Sequence, residues 1–419
     1  MIYTLTQKVF DNLIVFMLVM STGGLLFVFN RNLSYLVFIC LLLIAILFLG
    51  KGIKKNQINS ATLTFLSVAS LLVANYIFAI NEQADSKYLY YLMVVLVSVL
   101  VLHHFINNRN LQILLERIYS VLGLIVFHAL LSFIAFFLIG NSITAIENSH
   151  HECETFLHIF FYTTDKGMMN LFGFEFCRNQ GLFWEPGVLQ VFLNMFFFLE
   201  AFIIKKRKSL LLLTAIVILT TYSTTGLALL LIQVAVYLFN EFKTNKWLIP
   251  FMLGLYIPVY MIFSLNVEDK IQGEKEASFQ KRYFDLVQPL FIALEHPLTG
   301  IGLDVEQFQN MRQEFYISSS SLNTLQEKTG VESKVKGTDK GSSNSITFLM
   351  AAMGFPTVVL LLYMFFKQQI ITEKRWLWML IMIVSVMSEP LLLRPFFFLF
   401  IVSGFIYFFY KIASHKQQI

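Results

Sequence analysis

Charge is scarce in this chain. Only 14% of its 419 residues are Asp, Glu, Lys or Arg, against about 25% in soluble domains. That is too little to clothe a water-soluble globule, and the chain is excluded from that class. Cysteine is nearly absent as well. Three residues are too few for a metal cluster, and no other His, Asp or Glu spacing matches a ligand set. There is no Walker-type Gly-Lys loop, no His-Glu-x-x-His and no Asp-x-Asp, which removes nucleotide-cradling, zinc-hydrolase and metal-assisted nucleotide-sugar readings. No internal repeat relates the two halves. The balance of 31 Lys and Arg over 26 Asp and Glu is spread across short loops, so it is not the clustered basic stripe of a nucleic-acid binder.

Apolar sequence is what the chain has in excess. It is 57% hydrophobic with 45 Phe, residues suited to lipid-facing and packing roles rather than to a cofactor site; no cofactor is called for. A membrane span needs about 20 apolar residues. Such stretches fall at roughly 10–29, 33–50, 61–80, 88–106, 118–139, 182–204, 210–222, 226–240, 247–265, 345–366, 376–390 and 395–411. The expected fold is an all-α polytopic membrane protein of about twelve transmembrane helices. The first stretch has no small-residue cleavage site and reads as a span, not a removed signal. The seventh and eighth are short and read as a broken hairpin around Tyr222-Ser223-Thr224-Thr225-Gly226.

Positive residues prefer the cytoplasmic side of a membrane protein. With the N-terminus inside, the inner loops hold Lys51, Lys54 and Lys55, then Lys205-Lys206-Arg207-Lys208, then Lys367, Lys374 and Arg375. The opposing short loops hold only Arg31, Lys87, Lys166, Arg178 and Arg394. This alternation places both termini in the cytoplasm. Three segments follow. Residues 1–265 carry helices 1–9, with an external loop at about 140–181. Residues 266–344 form a large external loop between helices 9 and 10. Residues 345–419 carry helices 10–12 and a cytoplasmic tail.

The first external loop holds His150, His151, His158, Cys153 and Cys177, and its Phe-rich middle is expected on the membrane surface. Outside the cytoplasm disulfides persist. A Cys153–Cys177 bridge is therefore expected, worth about 3.5 kcal/mol by loop closure, with two free thiols as the alternative. The second loop reads as a soluble subdomain. Residues 276–295 place Phe279, Tyr283, Leu286, Leu290 and Leu294 at helical spacing, with a kink expected at Pro289. His296-Pro297-Leu298-Thr299-Gly300-Ile301-Gly302 follows as a turn. From Ile317 to Ser345 the chain is rich in Ser, Lys and Gly and is expected to be mobile.

One stretch stands out: Arg178-Asn179-Gln180-Gly181-Leu182-Phe183-Trp184-Glu185-Pro186-Gly187. An ionisable residue inside a span is costly and marks a functional site by default. Pro186 and Gly187 would loosen the helix beside Glu185, which is tolerated only where freed backbone groups face protein or a cavity. Alternatively, Pro186 starts the helix and Glu185 sits at headgroup level. A partly desolvated carboxylate is suited to accept a proton, so Glu185 is the candidate base. Further candidates at external span ends are Arg282, His296, Glu389 and Arg394. Arginine suits bidentate grip on phosphate oxygens. Glu389 and Arg394 flank one turn and either pair together or meet substrate. His128, alone in the fifth span, reads as an interhelical hydrogen-bond partner, and Glu200 as a partner of Lys205–Lys208.

The order of these motifs resembles the O-antigen polymerase and O-antigen ligase superfamily. The resemblance rests on Arg178 with Gly181–Gly187 opening a span, Ser223-Thr224-Thr225-Gly226, His296–Gly302 in the long loop, and Ser343-Asn344-Ser345 with Met353-Gly354-Phe355-Pro356 at the return to the membrane. It covers roughly residues 170–400. It implies a metal-independent glycosyltransferase on the outer face of a bacterial plasma (inner) membrane, acting on an oligosaccharide linked through diphosphate to undecaprenol. Arg178 and Arg282 would hold the diphosphate, Glu185 would activate the acceptor, and His296, Asn344, Glu389 and Arg394 would contact substrate. Membrane lipids and a chain-length regulator are the implied partners, with no role for nucleic acid. The chain departs from the ligase pattern at Ser343, where a histidine is expected, and its Arg-to-Gly spacings in the two loops differ. The expectation is therefore a polymerase of O-antigen or capsule repeat units; the alternatives are a ligase or a transporter of lipid-linked glycans.

Overall fold

A computed structural model describes residues 2–48, 55–108, 110–139, 142–148, 151–171, 173–204, 207–242, 248–272, 276–318 and 341–415. The chain is mostly helical. Among the described residues, seven helices are long and apolar enough to cross a membrane, and shorter apolar helices accompany them. Each stretch read as a span is helical over most of its length. The first is interrupted: α1 (Ile2–Met20) stops at a turn before α2 (Leu25–Phe29). Ser21 Oγ and Thr22 Oγ1 both donate to the Leu18 carbonyl, a side-chain substitute for the next helical bond. Gly23 then adopts φ 111°.

The chain forms two compact units, each drawn from separated parts of the sequence. The first takes Met1–Leu49, Asn110–Val267 and Ile371–Ser385. Its long helices include α1, α3 (Arg31–Phe48) and α6 (Leu111–Ile139). Between α6 and the next span lies an unexpected β region. Strands β1 (Thr144–Glu147), β2 (Glu152–Phe156) and β3 (Phe160–Tyr162) form one antiparallel sheet, with Thr144 opposite Thr155 and Phe156 opposite Phe160. After the single turn α7 (Thr164–Gly167), β4 (Met168–Leu171) and β5 (Phe174–Cys177) form a hairpin. Strand β2 buries Cys153 and Thr155 and turns Glu152 outward, a period-two pattern within Glu-Cys-Glu-Thr-Phe.

The central helix of this unit is α8 (Pro186–Phe198), continued by a π-helical turn, Leu199–Ile204. The apolar window of this span is 89% buried, against 28% for α6. α8 packs against α6, α9 (Lys208–Thr221) and α10 (Thr224–Phe242). Phe183 stacks on Phe192 at 4.8 Å, and Tyr119 on Phe196 at 5.1 Å. The hairpin expected around Tyr222–Gly226 is present. α9 ends at Thr221, Tyr222 takes the left-handed conformation and α10 begins at Thr224. α11 (Leu248–Gln272) follows and places Asn266 against that turn.

The second unit takes Gly50–Arg109, Glu268–Ile370 and Val386–Ile419. Its helices include α4 (Lys55–Phe78), α5 (Asp85–Asn108), α12 (Glu276–Glu295), α13 (Val305–Ser318) and α14 (Ser345–Phe366). The helix α15 (Arg375–Ser388) ends in this unit, and α16 (Pro395–His415) packs on α4, α5 and α14. The helix expected over 276–295 is found, and it runs on through Pro289. A core of Phe284, Ile292, Ala293, Ile301, Phe308 and Ala351 joins α12, α13 and α14. α14 breaks at Gly354, whose backbone lies at φ 74° and ψ 163°. Most of the segment expected to be mobile, 319–340, lies outside the described residues, as does His150.

Candidate functional site

The Arg178–Gly181 loop is shaped by the end of α9. A helix leaves its last carbonyls without intrahelical donors. Here Arg178 Nε donates to the Thr221 carbonyl at 3.0 Å, and the Asn179 amide donates to the Thr220 carbonyl at 3.0 Å. A guanidinium at a helix C-terminus also complements the helix dipole. Asn179 Nδ2 donates to the Ala129 carbonyl and to Thr220 Oγ1, while Asn179 Oδ1 accepts from Gly181 N. That side-chain turn lets Gly181 adopt φ 55°. Thr220 and Thr221 thus anchor the loop that carries Arg178.

Leu182–Trp184 meets the α1–α2 turn in a single antiparallel bridge, Phe183 opposite Gly24. The Leu25 amide donates to the Leu182 carbonyl at 2.8 Å, and the Trp184 amide to the Gly23 carbonyl at 3.1 Å. A Cβ on Gly23 would lie 3.0 Å from Val188 and 3.2 Å from Trp184. Glu185 is the cap residue of α8 in extended backbone, and Pro186 occupies the first helical positions. This decides between the two sequence readings of Pro186: it starts the helix, as proline readily does, and does not loosen one. Glu185 is half-buried, and Trp184 Nε1 donates to its Oε1 at 3.0 Å.

The Cys153–Cys177 bridge is not formed. Both thiols are free and buried. Cys153 belongs to the three-stranded sheet, against Leu25 and Phe161, and Cys177 ends the separate hairpin. Burial pushes each thiol up to about 11. His128 Nε2 donates to the Ile159 carbonyl in the β region, where the sequence suggested an interhelical partner. Glu200 accepts from the Tyr119 hydroxyl at 2.5 Å and from the Arg207 amide.

The second unit gathers Arg282, Asn344 and Glu389 around the start of α14, with Arg394 nearby in sequence. Asn344 caps α14: its Oδ1 accepts from the Ile346 and Thr347 amides at 3.0 and 3.2 Å. Ser345 Oγ donates to the Glu389 carbonyl at 2.9 Å. Arg282 forms an ion pair with Glu389 at 3.8 Å; its side chain is 40% exposed, that of Glu389 only 5%. The guanidinium is therefore the member of the pair that solvent or a ligand reaches. Arg394 Nη1 donates to the Tyr90 hydroxyl at 2.9 Å.

Beside them lies a charged pair that sequence reasoning missed. Asp285 is fully buried, 3.2 Å from the Arg312 guanidinium. Its Oδ2 accepts from Ser343 N and Oγ, and its carbonyl accepts from Ser342 Oγ and Thr347 Oγ1. Arg312 Nε donates to Gln288 at 2.7 Å. Burial lowers the Arg312 pKa from its ordinary value, opposed by the Asp285 charge. The sequence signal was placement: Asp285 and Gln288, three residues apart, interrupt the apolar stretch from Tyr283 to Leu294.

Among the described residues, His296 forms no hydrogen bond or ion pair with these groups. It closes α12, its amide donating to the Ile292 carbonyl, and the turn that follows packs on the break in α14. Ile301 N donates to the Ala351 carbonyl, Gly302 N to Ala352, and Phe355 N to Pro297. A Cβ on Gly300 would fall 2.5 Å from the Ala351 carbonyl oxygen, and one on Gly354 2.2 Å from that of Leu298. Three further polar residues brace the turn. Asn75 donates to the Thr299 and Ala352 carbonyls, Gln83 to Ile301, and Tyr88 accepts from Leu303 N.

Arg178 and Glu185 thus belong to the first unit, and Arg282, His296, Asn344, Glu389 and Arg394 to the second. Compared with family models, curated proteins and solved structures, the chain matches none.

Proposed function

We propose that this chain polymerises oligosaccharide repeat units carried on undecaprenyl diphosphate, for O-antigen or capsule, at the outer face of a bacterial plasma membrane. The reading extends the apolar helical architecture to about twelve spans with cytoplasmic termini and a large external loop between the ninth and tenth. The observation that carries it is the Arg282–Glu389 pair. A solvent-reachable guanidinium is held by a nearly buried carboxylate, beside a helix start in an apolar, many-helix chain. Such a cation matches a diphosphate delivered on a lipid.

In the reaction, the acceptor sugar hydroxyl attacks the anomeric carbon of the donor. The bond from that carbon to the diphosphate oxygen breaks, and its electron pair leaves with the lipid diphosphate. The hydroxyl proton passes to a carboxylate. Oriented cations that neutralise the leaving group contribute several kcal/mol in such a site. We assign Arg282 to the diphosphate. Arg178 and Glu185 keep the roles suggested by the resemblance, cation and proton acceptor, and each is tested by its own substitution.

Two observations favour this reading over its rivals. Ser343 donates through both N and Oγ to Asp285, so the position where a ligase would carry histidine serves structure. Transporters use unwound helix carbonyls to coordinate ions, whereas the Ala351 and Ala352 carbonyls at the break already accept from Ile301 and Gly302.

The test is a gel of surface glycolipid and lipid-linked glycan from cells lacking this chain. Single repeat units on the normal acceptor, with the ladder lost, support the polymerase. Full-length polymer left on undecaprenyl diphosphate makes the chain a ligase, and repeat units trapped on the cytoplasmic face make it a transporter. Arg282→Ala, Arg178→Ala and Glu185→Gln should each shorten or abolish the ladder while the protein still accumulates in the membrane.

A further inference from the structure

The outward face of α12 has a composition no water-facing helix would carry. Its side chains are described from Arg282 onward. Leu286, Leu290 and Leu294 recur every fourth residue and are 39%, 39% and 59% exposed; Leu298, in the turn beyond, is 72% exposed. Between them Val287 and Phe291 are half-exposed. The two polar residues of that stretch, Asp285 and Gln288, are buried. From Tyr283 to Leu294 the pattern is inverted relative to a solvated helix, with polar groups inside and leucine outside.

The neighbours of α12 carry apolar outward faces of the same kind. α12 runs beside α14 in the same direction: Asp285 contacts Ser343 near the start of α14, and Pro297 contacts Phe355 at its break. α14 is itself a candidate membrane span. Its own outward residues are apolar, with Val359 60%, Tyr363 51% and Phe366 48% exposed. In the same unit α4 exposes Leu63, Leu66, Val73 and Ile77. The leucine face of α12 continues the kind of surface the unit presents to lipid. Arg282 stands one turn before Leu286 on the same face, where a long cationic side chain reaches the headgroup level.

We propose that α12 is seated in the bilayer hydrocarbon along Leu286, Leu290 and Leu294, with Arg282 at headgroup depth. The long loop would then not be a soluble subdomain; its first helix enters the bilayer beside a broken span. The inference does not depend on the reaction the protein performs.

The test is nitroxide scanning in phosphatidylethanolamine and phosphatidylglycerol nanodiscs. In a Cys40→Ser background, in which the remaining native thiols, Cys153 and Cys177, are buried, Leu290→Cys and Leu294→Cys are labelled separately, with Glu306→Cys as the aqueous reference. At both leucine positions, collision with oxygen relative to a water-soluble nickel chelate should exceed the reference several-fold. Nickel access equal to that at Glu306→Cys would place the face in water. Shielding from both reagents would mean that protein covers it. Either result overturns the proposal, whether or not the protein makes polymer. If Leu290→Cys does not fold, Leu286→Cys takes its place.

Discussion

Two helix starts carry the residues singled out by the sequence, and they are built differently. α8 opens with Pro186, and its cap residue Glu185 makes no side-chain cap hydrogen bond. α14 opens with Asn344, whose side chain accepts from two helix amides. The difference extends inward. Within α8 the buried polar groups are the neutral amides of Gln190 and Asn194: Asn194 donates to Gln190 and to the Gly226 carbonyl, and Gln233 donates to Asn194 at 2.8 Å. Beside the start of α14 they are ions, Asp285 with Arg312. Neutral amides fix helix packing at small cost when one partner is lost. A buried ion pair is severe to break, because the remaining charge stays uncompensated.

This contrast orders the expected effects. The largest is Arg312→Met, which leaves Asp285 fully buried beside an apolar side chain. A loss of about 3–5 kcal/mol is expected, read as a fall in melting temperature in detergent, and Asp285→Leu added to it should restore part of the loss. A single variant as stable as the wild type would mean that the pair is not formed. Gly354→Ala comes next. It forces a non-Gly residue to φ 74° with a Cβ 2.2 Å from the Leu298 carbonyl. Strain at such a backbone costs about 1–3 kcal/mol before any clash, so poor accumulation in the membrane is expected.

In the first unit the effects should be smaller. Gln233→Leu removes one interhelical donor to Asn194. Such bonds average about 0.6 kcal/mol inside membranes, so the expected shift is small; a loss as large as that of Arg312→Met would erase the comparison. The smallest effect concerns the thiols. Cys153 and Cys177 are raised from 9.0 to about 11, so both are protonated and slow to alkylate at neutral pH. Their contribution to stability is complete below pH 9 and is lost as pH rises toward 11. Alkylation counts across that range check both statements, and native labelling of all three thiols at pH 7 would contradict them.

Several features were legible from the residues alone. Apolar runs placed the helices, because a long uncharged stretch has few other ways to satisfy its backbone. The glycines and proline of His296–Gly302 marked a turn, and the Thr220–Gly226 run marked a break between two short helices. The role of Asp285 was not legible, since its partner Arg312 and its hydrogen-bond donor Ser343 lie far along the chain. Nor was the function of the Thr220 and Thr221 carbonyls in seating Arg178 and Asn179. The β region also escaped, because its Phe-rich segments match a membrane-surface strip as well as strands.

The sequence by itself determined that this is a mostly helical protein with spans of membrane length, and that two short helices meet at a break around Tyr222–Gly226. Those properties follow from local composition and from backbone groups satisfied within each helix. Only the tertiary structure decided that Pro186 begins a helix, that Cys153 and Cys177 stay apart, and that Arg282 faces Glu389. It also decided that α12 turns Asp285 and Gln288 inward and its leucines out. Each of these depends on which distant segment arrives to satisfy a donor, an acceptor or a charge, and no local pattern encodes that arrival.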